Sequence, residues 1–212
     1  MSRDEELLRK HVEEVVSDPL PEWPGGWPDD IELALIDAVF STRAKYGCGG
    51  GDDRRATGVY AVVLRWKDAG SRDDLTALAD IDPVELLSIL DNRSKIAGRT
   101  KAEVVVDAAQ RLSAVGLRKS GDFTGSDEQR AAYVGTKGCG PITWAYFGML
   151  LGVEDAKPDT WLVRFTTDAL GRQVEPETVR ALVKQTAKSM GVSTSRLDHA
   201  IWQYQRGRHR VS

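Results

Sequence analysis

Two short runs hold the residue types best able to do chemistry. The first, Gly138-Cys139-Gly140-Pro141-Ile142-Thr143-Trp144-Ala145, sets two glycines one residue apart and then a proline where a helix can begin. It describes a tight turn whose backbone N–H groups stay open at a helix N-terminus, a setting that suits a phosphate. The second, Pro158-Asp159-Thr160-Trp161-Leu162-Val163-Arg164, puts a carboxylate directly after a proline and before an apolar stretch, where the next helix should start. Open N–H groups and the helix dipole favour the charged carboxylate there. A negative charge fixed in this way can stabilise a developing cation and orient or deprotonate a water. Asp159 is thus the candidate catalytic carboxylate, and its position is equally that of an ordinary helix cap; the two roles are compatible. The glycine pair also has a purely structural reading as a turn.

The elements that must carry these groups read almost entirely as helix. Glu5 to Val16 is a charged amphipathic stretch ended by Pro19, and Pro19 to Pro28 is a Pro/Gly/Trp connector that Trp23 and Trp27 are expected to pin to the core. Asp29-Asp30 cap a helix whose apolar positions Ile31, Leu35, Ala38 and Val39 run to about Lys45, with Gly47 as its stop. The Gly47-Cys48-Gly49-Gly50-Gly51 loop lacks the Gly-Lys-Ser/Thr ending of a nucleotide loop and reads as a connector. Further helices are predicted at about 57–68, 83–91, 99–115, 127–134, 141–151, 160–170, 175–190 and 195–206, which leaves strands little room. The β-branched runs Val59 to Leu64 and Val104 to Val106 lie inside longer helical patterns.

At 212 residues the chain can bury one large core or two small ones. Two cysteines, Cys48 and Cys139, cannot make a metal cage, and with His11, His199 and His209 far apart no metal site is expected. No eighteen apolar residues run together and the first residues are charged, so a reduced, cytoplasmic protein without a membrane partner is the expectation. The net charge of -3 is unevenly spread. Residues 1–32 hold ten of the 32 acidic side chains and three of the 29 basic ones, so the remainder carries 26 basic against 22 acidic. A mildly basic remainder permits nucleic-acid binding without demanding it.

The hairpin run followed by the acid resembles the helix-hairpin-helix DNA glycosylase superfamily, of endonuclease III and alkyladenine glycosylase type, whose hairpin reads Gly-x-Gly-x-x-Thr-Ala ahead of a Val-Asp-Thr-His type segment. The resemblance extends from about Ile31 to Tyr204, with Gly98-Arg99-Thr100-Lys101-Ala102-Glu103 similar to the family's Asn-Ser-Lys-Ala-Glu helix start. It implies an all-α fold of two helical lobes with a helix-hairpin-helix motif and a cleft that Asp159 faces. Residues 33–152 would form the central lobe with the hairpin, and 1–32 plus 153–212 the lobe with the acid.

By the same resemblance the partner is double-stranded DNA, bound by a monomer associated with the nucleoid in base excision repair of DNA damage. The reaction is base flipping and hydrolysis of an N-glycosidic bond. Family members that also cut the backbone carry a nucleophilic lysine where this chain has Ile142, so a monofunctional enzyme is implied, with Lys137 as a less favoured amine. The family's frequent Fe–S cluster needs four cysteines after the acid, and none follows Asp159. No cofactor is therefore expected beyond a monovalent cation at the hairpin. Gly138, Cys139, Gly140, Thr143 and Lys137 are the expected DNA-backbone contacts, and Arg43 is the candidate wedge that fills the vacated stack, with an alternative reading as a solvated arginine in a salt bridge. Ile142, Trp144, Tyr146 and Trp161 are candidates for the base pocket, each with an alternative reading as core. The tail Arg206-Gly207-Arg208-His209-Arg210 can touch phosphates or stay solvated. A non-catalytic protein binding lesion-bearing or bent DNA is the alternative function.

Overall fold

A computed structural model describes residues 1–44, 46–47 and 56–208. Cys48, Gly49 to Gly51, His209 and Arg210 lie outside the described residues, as does Lys45. In chain order the elements are α1 (Arg3–Val15), α2 (Ile31–Phe40), α3 (Gly58–Gly70), α4 (Leu75–Asp80), α5 (Pro83–Leu90), β1 (Lys95–Ile96), β2 (Arg99–Thr100), α6 (Lys101–Ala114), α7 (Asp127–Val134), α8 (Pro141–Leu150), α9 (Thr160–Leu170), α10 (Pro176–Met190) and α11 (Thr194–Arg208). The fold is predominantly helical, and no described helix is long and apolar enough to cross a membrane.

Three expectations are corrected. Helix α2 ends at Phe40 rather than near Lys45, because Ser41 turns its hydroxyl back onto the Ala38 carbonyl and the chain then leaves the helical path. Helix α6 starts at Lys101, since Arg99–Thr100 pair antiparallel with Lys95–Ile96 around a turn at Ala97 (φ 52°) and Gly98 (φ 84°). Two consecutive positive-φ residues are the signature of a tight hairpin turn, which periodicity alone reads as helix. Helix α4 has no counterpart among the predicted helices; Asp74 caps it through the Thr76 N–H at 3.0 Å.

The chain divides into two compact units, Gly25–Gly152 and Met1–Pro24 with Val153–Ser212. In the first, α2 is buried at every position and is packed by α3, α4, α6 and α8. A helix that is apolar nearly all round must lie inside its unit. Its N-terminal end is tied by side chains: Asp30 accepts from Leu33 N–H at 3.1 Å, and Asp73 accepts from Ile31 N–H at 2.9 Å and from the Ser120 N–H and hydroxyl. Asp37, fully buried, accepts from Trp27 Nε1, Tyr46 and Tyr146 hydroxyls at 3.0, 2.6 and 3.2 Å. Trp27 is thereby pinned as expected, and Gly26 allows it, because a Cβ there would sit 2.4 Å from the Leu150 backbone.

The second unit is a four-helix assembly of α1, α9, α10 and α11. Leu8 and Val12 of α1 meet Leu162 and Phe165 of α9, Val179 and Val183 of α10, and Leu197 and Ile201 of α11 in one apolar core. A capping box between Ser2 and Glu5 starts α1, and Gly171 and Gly191 end α9 and α10 in left-handed conformations. Trp23 packs edge-on against His199 at 5.3 Å, so the connector's first tryptophan is held within this unit.

Candidate functional site

The glycine run lies between α7 and α8, as a helix, a short connection and a second helix. Ser126 caps α7 through the Gln129 N–H. Gly138 takes φ 112°, a region closed to L side chains, and a Cβ there would stand 3.1 Å from Ile96 and 3.3 Å from Val104. Gly138→Ala is therefore expected to destabilise the protein by about 2 kcal/mol or more, read as a lowered urea midpoint.

The expectation that Gly138, Cys139 and Gly140 all present open N–H groups is corrected. Cys139 N–H donates to the Thr136 carbonyl at 2.9 Å, and Gly140 N–H donates to Thr143 Oγ1 at 3.0 Å, whose own hydroxyl donates back to the Gly140 carbonyl. Among the described residues, no intrachain acceptor meets the N–H of Gly138 or those of Ile142 and Thr143 in the first turn of α8. An anion would be met one step further into the helix than the sequence suggests. Lys137 is exposed beside them.

Beneath this turn Tyr133 is fully buried. Burial pushes the Cys139 thiol up to about 11, so it stays protonated at neutral pH and is no nucleophile.

Asp159 does cap α9: its Oδ1 accepts from Trp161 N–H at 2.8 Å and Leu162 N–H at 3.3 Å. The second oxygen, Oδ2, has no hydrogen-bond partner among the described residues, and the side chain is partly exposed. The segment leading to it is clamped from α10 and α11. Asp155 accepts from Arg180 Nε at 2.8 Å and also from Arg180 Nη2, with Lys184 at 3.4 Å. Burial alone would raise the Asp155 carboxyl, but these cations and the Ala156 N–H outweigh it and hold it below the usual range. Glu154 accepts from Ser195 N–H, Ser195 Oγ donates to the Asp155 carbonyl, and Lys157 N–H donates to Asp198 Oδ1 at 2.9 Å.

Asp198 is the carboxyl that sequence reading missed. It is buried on α11, and burial pushes it up to about 8 against the Lys157 N–H bond, with Asp159 and Asp155 adding like charge. Two acids of this unit thus sit in opposite environments: Asp155 is paired with Arg180 and Lys184, and Asp198 is buried with a raised pKa. An aspartate in an amphipathic helical pattern reads as solvent-facing, and nothing in the Leu197-Asp198-His199 run signals otherwise.

The aromatic candidates do not share one environment. Trp144 joins Phe123, Tyr133 and Phe147 at centroid distances of 5.2, 5.4 and 5.9 Å, whereas Tyr146 belongs to the Asp37 network. Both are nearly inaccessible, while Ile142 at the start of α8 and Trp161 in the first turn of α9 are partly exposed. Arg43 is exposed just beyond α2. In the tail, Arg206 lies over the Trp202 ring at 4.9 Å and Arg208 over Tyr204 at 5.7 Å. Among the described residues no three His, Cys, Asp or Glu side chains are grouped to hold a metal ion.

Comparison with known proteins adds a family. The profile described as Domain of unknown function (DUF8548) matches residues 6–206. No curated protein and no solved structure matches the chain.

Proposed function

The chain belongs to this DUF8548 family, and from its own residues we propose that it is a monofunctional DNA glycosylase, which hydrolyses the N-glycosidic bond of a damaged or modified base and leaves an abasic site. The observation that carries the reading is the division of labour within Asp159: one oxygen caps α9 and the other is unengaged. As the C1′–N bond breaks, positive charge builds on the sugar, and an unengaged carboxylate oxygen is the group that can stabilise it and take a proton from the attacking water. The proton-holding Asp198 lets Asp159 act beside a neutral neighbour instead of a second anion.

The connection between α7 and α8 serves, in this reading, as the hairpin that grips the DNA backbone, with the N–H groups of Ile142 and Thr143 and the ammonium of Lys137 on phosphate. Ile142 supplies no amine where bifunctional relatives of the resembled superfamily carry their lysine, so hydrolysis is the expected outcome. The resemblance of the two runs supports the same assignment.

A panel of duplexes carrying alkylated, oxidised, deaminated and hypermodified bases tests it. At least one is expected to acquire alkali-labile abasic sites, with no adduct trapped by borohydride. Binding to lesions without base release across the panel would instead favour a non-catalytic lesion-binding protein, and a trapped adduct would point to Lys137 as a nucleophile.

A further inference from the structure

We propose that Lys101 is a positioning residue for Arg43, its buried ammonium fixing the turn from which Arg43 is presented to DNA. The inference rests on the DNA-processing reading above and assigns a role to a residue that reading does not use. Lys101 is 3% exposed, and its Nζ donates to the carbonyls of Phe40 at 2.9 Å and Thr42 at 2.8 Å, with the Phe40 ring 5.7 Å away. The two carbonyls bracket Ser41, so a single ammonium ties the last residue of α2 to the residue that precedes Arg43.

Arg43 itself takes φ 51°, a left-handed conformation that costs a residue with a Cβ, and its side chain is exposed. A helix is ended most cheaply by a glycine in that conformation, with the chain's open carbonyls meeting N–H groups or water. Here the left-handed position carries an arginine, and the open carbonyls are met by a cation withdrawn from solvent. Burial lowers the Lys101 pKa, which marks the desolvation that this arrangement bears. Two locally unfavourable choices placed one after the other are explained if a long cationic side chain must project from a fixed point. Lys101 is the group that over-determines the turn and lets the strained residue persist.

A duplex containing a tetrahydrofuran abasic analogue next to 2-aminopurine provides the probe, because insertion of a wedge unstacks the fluorophore and raises its emission. Wild-type protein is expected to bind this duplex more tightly than undamaged DNA and to raise the fluorescence. Arg43→Ala should lose the rise. Lys101→Met should lose it to the same level, and the double variant should lose nothing further, since residues acting through one another are non-additive. Lys101→Gln, which keeps a donor one atom short, should give an intermediate rise.

A full rise in Lys101→Met or in Arg43→Ala overturns the inference, as does a double variant whose affinity falls below that of Arg43→Ala by the loss that Lys101→Met causes alone. Unfolding of both Lys101 variants at the assay temperature also overturns it, since Lys101 would then be a scaffold residue. Equal wild-type affinity for the analogue and for undamaged duplex would sink the DNA-processing reading itself, and this inference with it.

Discussion

Asp159→Asn is expected to lower base release by roughly 10²–10³-fold while leaving the protein folded and able to bind DNA. The substitution separates two roles that share one side chain. Asparagine caps helices about as well as aspartate, so an amide oxygen in place of Oδ1 can still accept from Trp161 and Leu162 N–H. What it removes is the negative charge on the unengaged oxygen, and with it the stabilisation of a sugar cation. Asp159→Ala should lose the same activity and in addition about 1 kcal/mol of stability, because the cap goes too. The comparison is read by single-turnover base release on the duplex that the lesion panel identifies, beside thermal unfolding and binding. If Asp159→Asn releases base at the wild-type rate, Asp159 is a cap alone and the catalytic assignment falls.

That the cap is visible in the sequence reflects how local its physics is. A Pro-Asp-Thr-Trp run ahead of an apolar stretch specifies its own helix start, and α9 begins where it predicts. Gly138 is legible for the same reason: a glycine between helices has few uses other than a backbone conformation that side chains cannot take. Helix α4 escapes because six residues are too few to show a period, and the β1–β2 hairpin because two residues a strand show none at all.

The partners of a group are the part that sequence does not show. Lys101 stands at the first position of a well-capped helix, where a lysine reads as solvent-facing; only the return of α2 to its side turns it inward. The N–H groups of Cys139 and Gly140 read as open because their acceptors, the Thr136 carbonyl and Thr143 hydroxyl, depend on how the connection closes. Trp144 and Tyr146, two residues apart, go to separate clusters because a helix turns about 200° over that interval. Asp198 is buried by its neighbours on α11 and by the Lys157 segment, and no neighbour in its own stretch of sequence announces it.

Asp198 gives the second large effect, on stability rather than activity. Its carboxyl holds a proton up to about pH 8 in the folded protein, against an ordinary value of 3.8 once unfolded. A folded-state pKa raised in this way favours folding most at low pH, and that advantage is lost as pH climbs through the interval between the two values. On this account alone the wild type should lose about 1.4 kcal/mol per pH unit from pH 5 to pH 8 and level off above. Glu32, whose carboxyl burial pushes up to about 7, adds a parallel loss that ends nearer neutrality. His199, lowered by burial, works in the opposite sense but only below its ordinary value of 6.5. Asp155, held below the usual carboxylate range, stays ionised throughout the interval and contributes no slope.

Asp198→Asn isolates the term, because an amide oxygen can still accept from Lys157 N–H while no proton is exchanged. Relative to wild type, the variant should gain roughly 4 kcal/mol between pH 5 and pH 8, measured by urea unfolding at half-unit steps. The comparison cancels the slopes of Glu32 and His199, which both proteins share. A stability difference that stays flat across the interval would mean that Asp198 is already ionised in the fold, and Asp159 would then have to act next to a second negative charge.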